Sequence, residues 1–206
     1  MIGKSDGSTA VTVIKRNSKL TWKQKLEKCK YKIKRAYVEH TIKAKGHSLD
    51  EVIDYIVNVF GFVELDKDEV RFERDGLRAS FIMQYAPQLL GEYATMPRLK
   101  SESKEDIEAH IKQFQVRQQR AMEVPVSEFD IDFHKFQISY EDINDNMYII
   151  VEKRFAYIGG GVSGDKKVMR RFHRIFKDVY RYYGVTAEDI ENKSKRYEQV
   201  IRALTR

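Results

Sequence analysis

Asp130 and Asp132 stand two residues apart in the stretch EFDIDFHK. On a strand, side chains two apart project from the same face. Two carboxylates so placed are what a metal-dependent nuclease needs to hold magnesium against a phosphodiester. Asp142 and Asp145 follow in a short turn. No Glu-x-Lys and no histidine cluster accompanies the pair, and alternating Asp on a strand equally composes a wet sheet face. A metal-dependent nuclease is therefore kept as one alternative, and no catalytic residue is assigned. His40, His47, His110, His134 and His173 lack metal-ligand spacing, and the single cysteine, Cys29, cannot build a zinc site alone. No metal and no cofactor is expected.

A second chemistry is suggested by Gly159–Gly164, GGGVSG. The first and last glycines have the separation of a phosphate-binding loop, but Asp165 occupies the lysine position and a lysine follows in place of the hydroxyl. Nucleotide hydrolysis is set aside. A weaker reading remains, in which a flexible glycine loop opens a helix whose first amides accept a phosphate beside Lys166 and Lys167. The competing reading makes Asp165 the N-cap of that helix.

The third array is the strongest. At 100° per residue over 166–183, Val168, Met169, Phe172, Ile175, Phe176, Val179 and Tyr183 fall in one arc. Lys166, Lys167, Arg170, Arg171, Arg174, Lys177 and Arg181 fill the opposite one, with Asp178 the single acid. Solvated helix faces usually mix signs, because opposite charges four apart stabilise and like charges destabilise. Seven bases against one acid imply an anionic partner.

A long helix is also expected from Thr21 to about Lys45. Thr21-Trp22-Lys23-Gln24 has capping-box spacing, and Gly46 is a natural stop. Trp22, Leu26, Cys29, Ile33, Ala36, Tyr37 and His40 recur on one stripe. Lys23, Lys30 and Lys34 flank it on one side, and Lys25, Lys28, Lys32 and Arg35 on the other. Tyr31 points away from the stripe, where it could stack on a base.

The remaining elements must position these arrays. Ser48–Glu51 caps a core helix ending at Gly61. Phe62–Leu65, Glu69–Arg74 and Leu77–Gln84 read as strands, the last two joined by an Asp75-Gly76 hairpin turn. Ser103–Met122 reads as a helix. Glu128–Tyr140 reads as a strand with a bulge after His134-Lys135, and Met147–Ile158 as a long central strand. Thr186 caps a final helix. The order implies an α+β fold in one domain, 11–206, behind a flexible arm, 1–10. Its antiparallel sheet would have about five strands, with long amphipathic helices on the N-terminal side and two helices at the C-terminus. Val11–Ile14 reads as a short edge strand.

The chain has 206 residues, 42% hydrophobic and 12% aromatic, enough for a core without covalent staples. Its net charge of +7 is unevenly spread. Residues 15–45 carry twelve Lys/Arg and two Glu, whereas 46–165 carry thirteen Lys/Arg and twenty-three Asp/Glu. Such segregation creates a local field that steers anions. One cysteine, no membrane-length apolar run and no signal-like N-terminus give the expectation of a cytoplasmic, reducing setting.

The function expected is non-enzymatic nucleic-acid binding, with RNA or single-stranded DNA favoured because the chain has twelve Tyr and eleven Phe to offer as stacking surfaces. The expected contacts are Lys166, Lys167, Arg170, Arg171, Arg174, Lys177 and Arg181, helped by Lys23, Lys30, Lys34 and Tyr31. The main alternative is a protein–protein adaptor or an assembly component of a virus or mobile element, using the basic helices to dock a protein partner or a second copy. A membrane is not expected as partner, because the apolar face of the basic helix is needed for the core.

Overall fold

The computed structural model describes residues 21–99, 101, 103–139 and 146–205. The expected arm 1–10, the strand Val11–Ile14 and the turn with Asp142 and Asp145 lie outside the described residues.

Helix α1 (Trp22–Thr41) opens on the capping box read from the sequence. The Thr21 hydroxyl accepts from the Gln24 amide, and the Gln24 side chain accepts from the Thr21 amide at 2.9 Å. The helix ends before Gly46, whose bareness serves another purpose: a Cβ there would lie 2.8 Å from an Arg196 guanidinium nitrogen. Helix α2 (Leu49–Phe60) starts on a Ser48–Glu51 box and stops at Gly61, which takes the left-handed conformation at φ 73°. It buries Val52 and Ile56 completely.

Strands β1 (Val63–Glu64), β2 (Phe133–Ser139), β3 (Asn146–Glu152) and β4 (Tyr157–Ser163) form one antiparallel sheet in sequence order. The described residues thus give four strands where the sequence suggested about five. The difference lies in 69–84, where the expected hairpin is replaced by helix α3 (Arg71–Tyr85), with Asp75 and Gly76 inside it. The apparent alternation of Val70 and Phe72 misleads, because Phe72 is 79% exposed. The governing spacing is helical: Arg78, Ala79, Phe81 and Ile82 are buried together. Interior Gly76 costs about 1 kcal/mol relative to alanine, which burial of this face offsets.

Two further expectations change. β2 pairs residue for residue with β3, from Phe133↔Glu152 to Ser139↔Asn146, without a bulge. The phase shift arises because both sheet faces are covered, Phe133 serving one core and Phe136 the other. The single long strand Met147–Ile158 is broken by a turn at 153–156, with Ala156 at φ 51°. Glu152, fully buried, holds that turn: its carboxylate accepts from the amides of Asp132 (3.0 Å), Arg154 (3.1 Å) and Phe155 (2.7 Å).

Helix α4 (Lys104–Glu123) joins α3 on one face of the sheet, in a core that includes Phe81, Ile82, Ala121, Phe129, Ile131 and Phe133. Helices α5 (Lys166–Tyr183) and α7 (Lys195–Thr205) cover the other face with α2, around Phe136, Ile149, Val151, Phe172, Val179 and Ile201. Between them α6 (Ala187–Asn192) is a short turn of helix, so the expected single last helix is divided at Lys193, φ 49°. None of the described helices is long and apolar enough to cross a membrane.

Candidate nucleic-acid interface

Of the glycines that suggested a phosphate loop, all but Gly164, which stands just past β4 at φ 137°, are strand residues. Gly159, Gly160 and Gly161 lie in β4, opposite Ile150, Ile149 and Tyr148 of β3. On one face the Tyr157 and Tyr148 rings cover the bare Cα atoms. A Cβ on Gly159 would lie 2.5 Å from the Tyr157 hydroxyl oxygen, and one on Gly161 would lie 2.6 Å from that of Tyr148. On the other face Gly160 admits Phe172 and Phe176 of α5, whose rings come within 3.1–3.2 Å of the missing Cβ. The run is therefore a packing device that seats α5 against the sheet.

The first amides of α5 are also already occupied. The Asp165 carboxylate accepts from Lys167 N at 2.7 Å and Val168 N at 2.8 Å, an N-cap that satisfies the helix start and sets a negative charge where a phosphate would go. Of the two readings weighed for this loop, the structure has the cap. Lys166 and Lys167 stand exposed beside it.

The bases of α5 do gather. Val168, Phe172, Ile175, Val179 and Tyr183 are buried against the sheet, which turns the opposite face outward. Arg170, Arg174, Lys177 and Arg181, with His173, line a shallow hollow of about 290 Å³. From Lys166 to Arg181 the row runs roughly 22 Å at the helical rise. Arg171, also exposed, stands to one side of it. A hollow this open suits a polymer laid across it better than an enclosed small ligand.

The structure brings the second basic helix to the same surface. α1 packs on α7 through Arg35, which bonds Glu198 at 2.8 Å and Glu39 at 2.8 Å, and through half-buried Val38 and Ile42. Its following segment meets the end of α5, where Ala44 bridges to Val185 in parallel and His47 N donates to Tyr183 O at 2.9 Å. Arg196 fastens both ends by donating to the carbonyls of Gly184, His47 and Tyr183. As a result Lys34 sits beside Lys177. Partial burial and the neighbouring ammonium together hold the Lys34 pKa below the usual lysine range. Helical period puts Lys23 and Lys30 on the Lys34 side of α1, Lys30 carrying a 3.3 Å ion pair to Glu27. Lys43, Lys45 and Arg181 border a second hollow at the far end of α5. Tyr31, 40% exposed, lies on the side of α1 that turns toward the body, next to Arg35.

The acidic middle of the chain keeps its own counter-ions. Asp130 pairs with Arg74 at 2.7 Å, Glu73 with Lys135 at 2.7 Å and Asp50 with Lys153 at 2.5 Å. Lys30, Arg35 and Arg181 find their carboxylates on their own helices or on α7. None of these ion pairs joins a base of α1 or α5 to a carboxylate of the acidic middle.

The Asp130–Asp132 pair is divided. Asp130 turns to Arg74 and the Ile131 amide, while Asp132 meets His134 at 3.2 Å, and His134 reaches on to Glu64 at 2.7 Å. Burial opposes ionisation of Asp130, yet the Arg74 bond and the Ile131 amide outweigh it and hold its carboxyl below the usual range. Among the described residues no group of three His, Cys, Asp or Glu side chains is placed to hold a metal ion. Sequence reasoning had no means of finding the Lys34–Lys177 contact or the Arg196 fastening, since both depend on how distant helices dock. Comparison with protein-family models, curated proteins and solved structures finds no match to this chain.

Proposed function

We propose that the protein binds nucleic acid, RNA or single-stranded DNA in preference to duplex, across the outward face of α5 and the adjoining Lys30–Lys34 flank of α1. The observation that carries this reading is the meeting of the two basic helices at Lys34 and Lys177. Two like charges held together, one of them titrating below its usual range, are stabilised when a polyanion lies over both. The row Arg170, Arg174, Lys177 and Arg181 contacts successive phosphates, and Lys34 and Lys30 extend the track onto α1. Phosphate contacts of this kind position a strand without reading its sequence. The expected activity is therefore broad in sequence and steep in salt. No cofactor or reaction is part of this reading.

The test is substitution on an unaltered core. In the variant Arg170→Ala/Arg174→Ala/Lys177→Ala/Arg181→Ala, affinity for single-stranded RNA drops by two orders of magnitude or more. Each lost phosphate contact also shallows the salt slope by about 0.7. Circular dichroism of the variant stays that of the wild type. A double-mutant cycle between Lys34→Ala and Lys177→Ala returns a coupling, because both charges serve one stretch of backbone. Unchanged affinity in the quadruple variant removes the assignment.

A further inference from the structure

The apolar stripe of α1 faces away from the other described elements. α1 has no buried residue; it meets the body through the side that carries Tyr31, Arg35, Val38 and Ile42. On a helix the stripe begun by Trp22 lies opposite that side. Trp22 is 80% exposed, Ile33 67% and Leu26 43%, and Cys29, Ala36 and His40 are exposed as well. A helix this basic and this weakly attached gains nothing in its own fold from displaying these groups to water.

The spacing along the stripe is informative. Trp22, Leu26, Cys29, Ile33, Ala36 and His40 alternate steps of four and three, the 3.5-residue period of a coiled-coil seam, with Trp22, Cys29 and Ala36 at d positions and Leu26, Ile33 and His40 at a positions. The flanking e positions are Lys23, Lys30 and Tyr37, and the g positions are Lys25, Lys32 and Glu39. Those positions choose the partner in a coiled coil. Four of the six are lysine, and Glu39 is already bonded to Arg35.

We infer that α1 is one strand of a heteromeric coiled coil, and that its partner is an amphipathic helix of another protein with apolar a and d positions and Glu or Asp at e and g. Charge selects this occupant over the others. A second copy of α1 would set Lys25 against Lys30 in parallel, or Lys32 against Lys32 in antiparallel arrangement, where Glu39, the one acid that would face Lys25, is already bonded to Arg35. The preceding residues 1–20 of the chain hold four Lys/Arg and one Asp and are no complement either. A nucleic-acid backbone satisfies the lysines but gives Leu26 and Ile33 nothing to pack on. An anionic bilayer favours a broad bulky face, whereas here large and small residues alternate along a narrow seam. The inference does not rest on the nucleic-acid reading. The two surfaces share only Lys23 and Lys30.

Trp22, the single tryptophan, reports on the seam directly. The probe is a synthetic three-heptad peptide with Leu and Ile at a and d and Glu at e and g, titrated into the full chain at about 150 mM salt. Controls are polyglutamate, the same peptide with Lys at e and g, and phosphatidylserine vesicles. The expected result is saturable micromolar binding of the acidic peptide with a blue shift of Trp22 emission, and no shift with polyglutamate or the lysine peptide. Ile33→Ser weakens peptide binding at least tenfold while leaving RNA affinity within twofold. The charge-reversed chain, with Glu at 23, 25, 30 and 32, exchanges the acidic peptide for the lysine peptide. Failure of the acidic peptide to bind, equal binding by Ile33→Ser, a wild-type dimer that Ile33→Ser dissolves, or vesicle binding tighter than peptide binding would each overturn the inference.

Discussion

Two residues show how much of this fold rests on atoms that charge and hydropathy do not reveal. Glu152 is fully buried, and its carboxylate is the acceptor for three backbone amides that close the β3–β4 turn and tether Asp132. Removing it leaves three donors without their acceptor in a part-buried site, a cost of about 1–3 kcal/mol. Urea unfolding of Glu152→Ala should show that loss with an unchanged m-value, and a loss under about 0.5 kcal/mol would mean the amides find other acceptors. Gly160 is the second. Its bare Cα lets Phe172 and Phe176 seat α5 on the sheet, and a Cβ would also press on the Tyr148 carbonyl at 2.6 Å. Gly160→Val should destabilise the fold by about 2–3 kcal/mol through overpacking. Gly76→Ala, on the interior of α3 with open space around it, should instead stabilise by up to about 1 kcal/mol. Thermal melts of the pair check both signs together.

At the scale of the element, the caps were readable and the long-range fit was not. Thr21-x-x-Gln24 and Ser48-x-x-Glu51 name their own helix starts, because a capping box is a contract between neighbours three residues apart. The amphipathic division of α5 was equally plain, since its buried arc and basic arc fall cleanly on a wheel. Residues 69–84 read as a hairpin because Asp-Gly is a strong turn signal, while the interior glycine of α3 is tolerated only for the sake of packing against α4 that no local spacing announces. The stretch Gly159–Gly164 reads as a loop for a related reason. Its glycines answer Tyr157, Tyr148 and Phe172, two of them distant in sequence. The stripe of α1 was legible as a pattern, but its exposure was not, because period alone does not say which face a helix turns to its own body.

Among the described residues, α1 and α5 carry rows of bases, while Asp130, Glu73 and Asp50 of the acidic middle pair with bases of that same middle. That arrangement has a pH consequence. Lys135 holds the Glu73 carboxyl below its usual 4.5. For Asp189 burial acts the other way, but the hydroxyl of Ser194 and the amide and hydroxyl of Thr186 prevail, aided by Arg196, and its pKa lies below 3.8. Both pKa values are depressed by folding. Each carboxylate therefore contributes its stability fully above its unfolded pKa and loses it as pH falls through the lower folded value. The midpoint of thermal unfolding should hold steady above about pH 5 and decline through pH 4 and below. Glu73→Gln should make that decline shallower. A midpoint that rises on acidification would contradict the assignment.

The two basic helices form one surface because Arg35, the Ala44–Val185 bridge and Arg196 lock α1, α5 and α7 together at their ends. Whether that surface grips a phosphate backbone decides the function proposed for it. The most direct measurement is fluorescence anisotropy of labelled single-stranded RNA, single-stranded DNA and duplex DNA with the wild-type chain at about 50 and 200 mM salt. Six phosphate contacts imply a slope near −4 and a loss of roughly 300-fold over that interval. Binding should be submicromolar at the lower salt, fall by that order at the higher, and rank single strands ahead of duplex. Absence of binding at 50 mM, or affinity indifferent to salt, would contradict the proposed function.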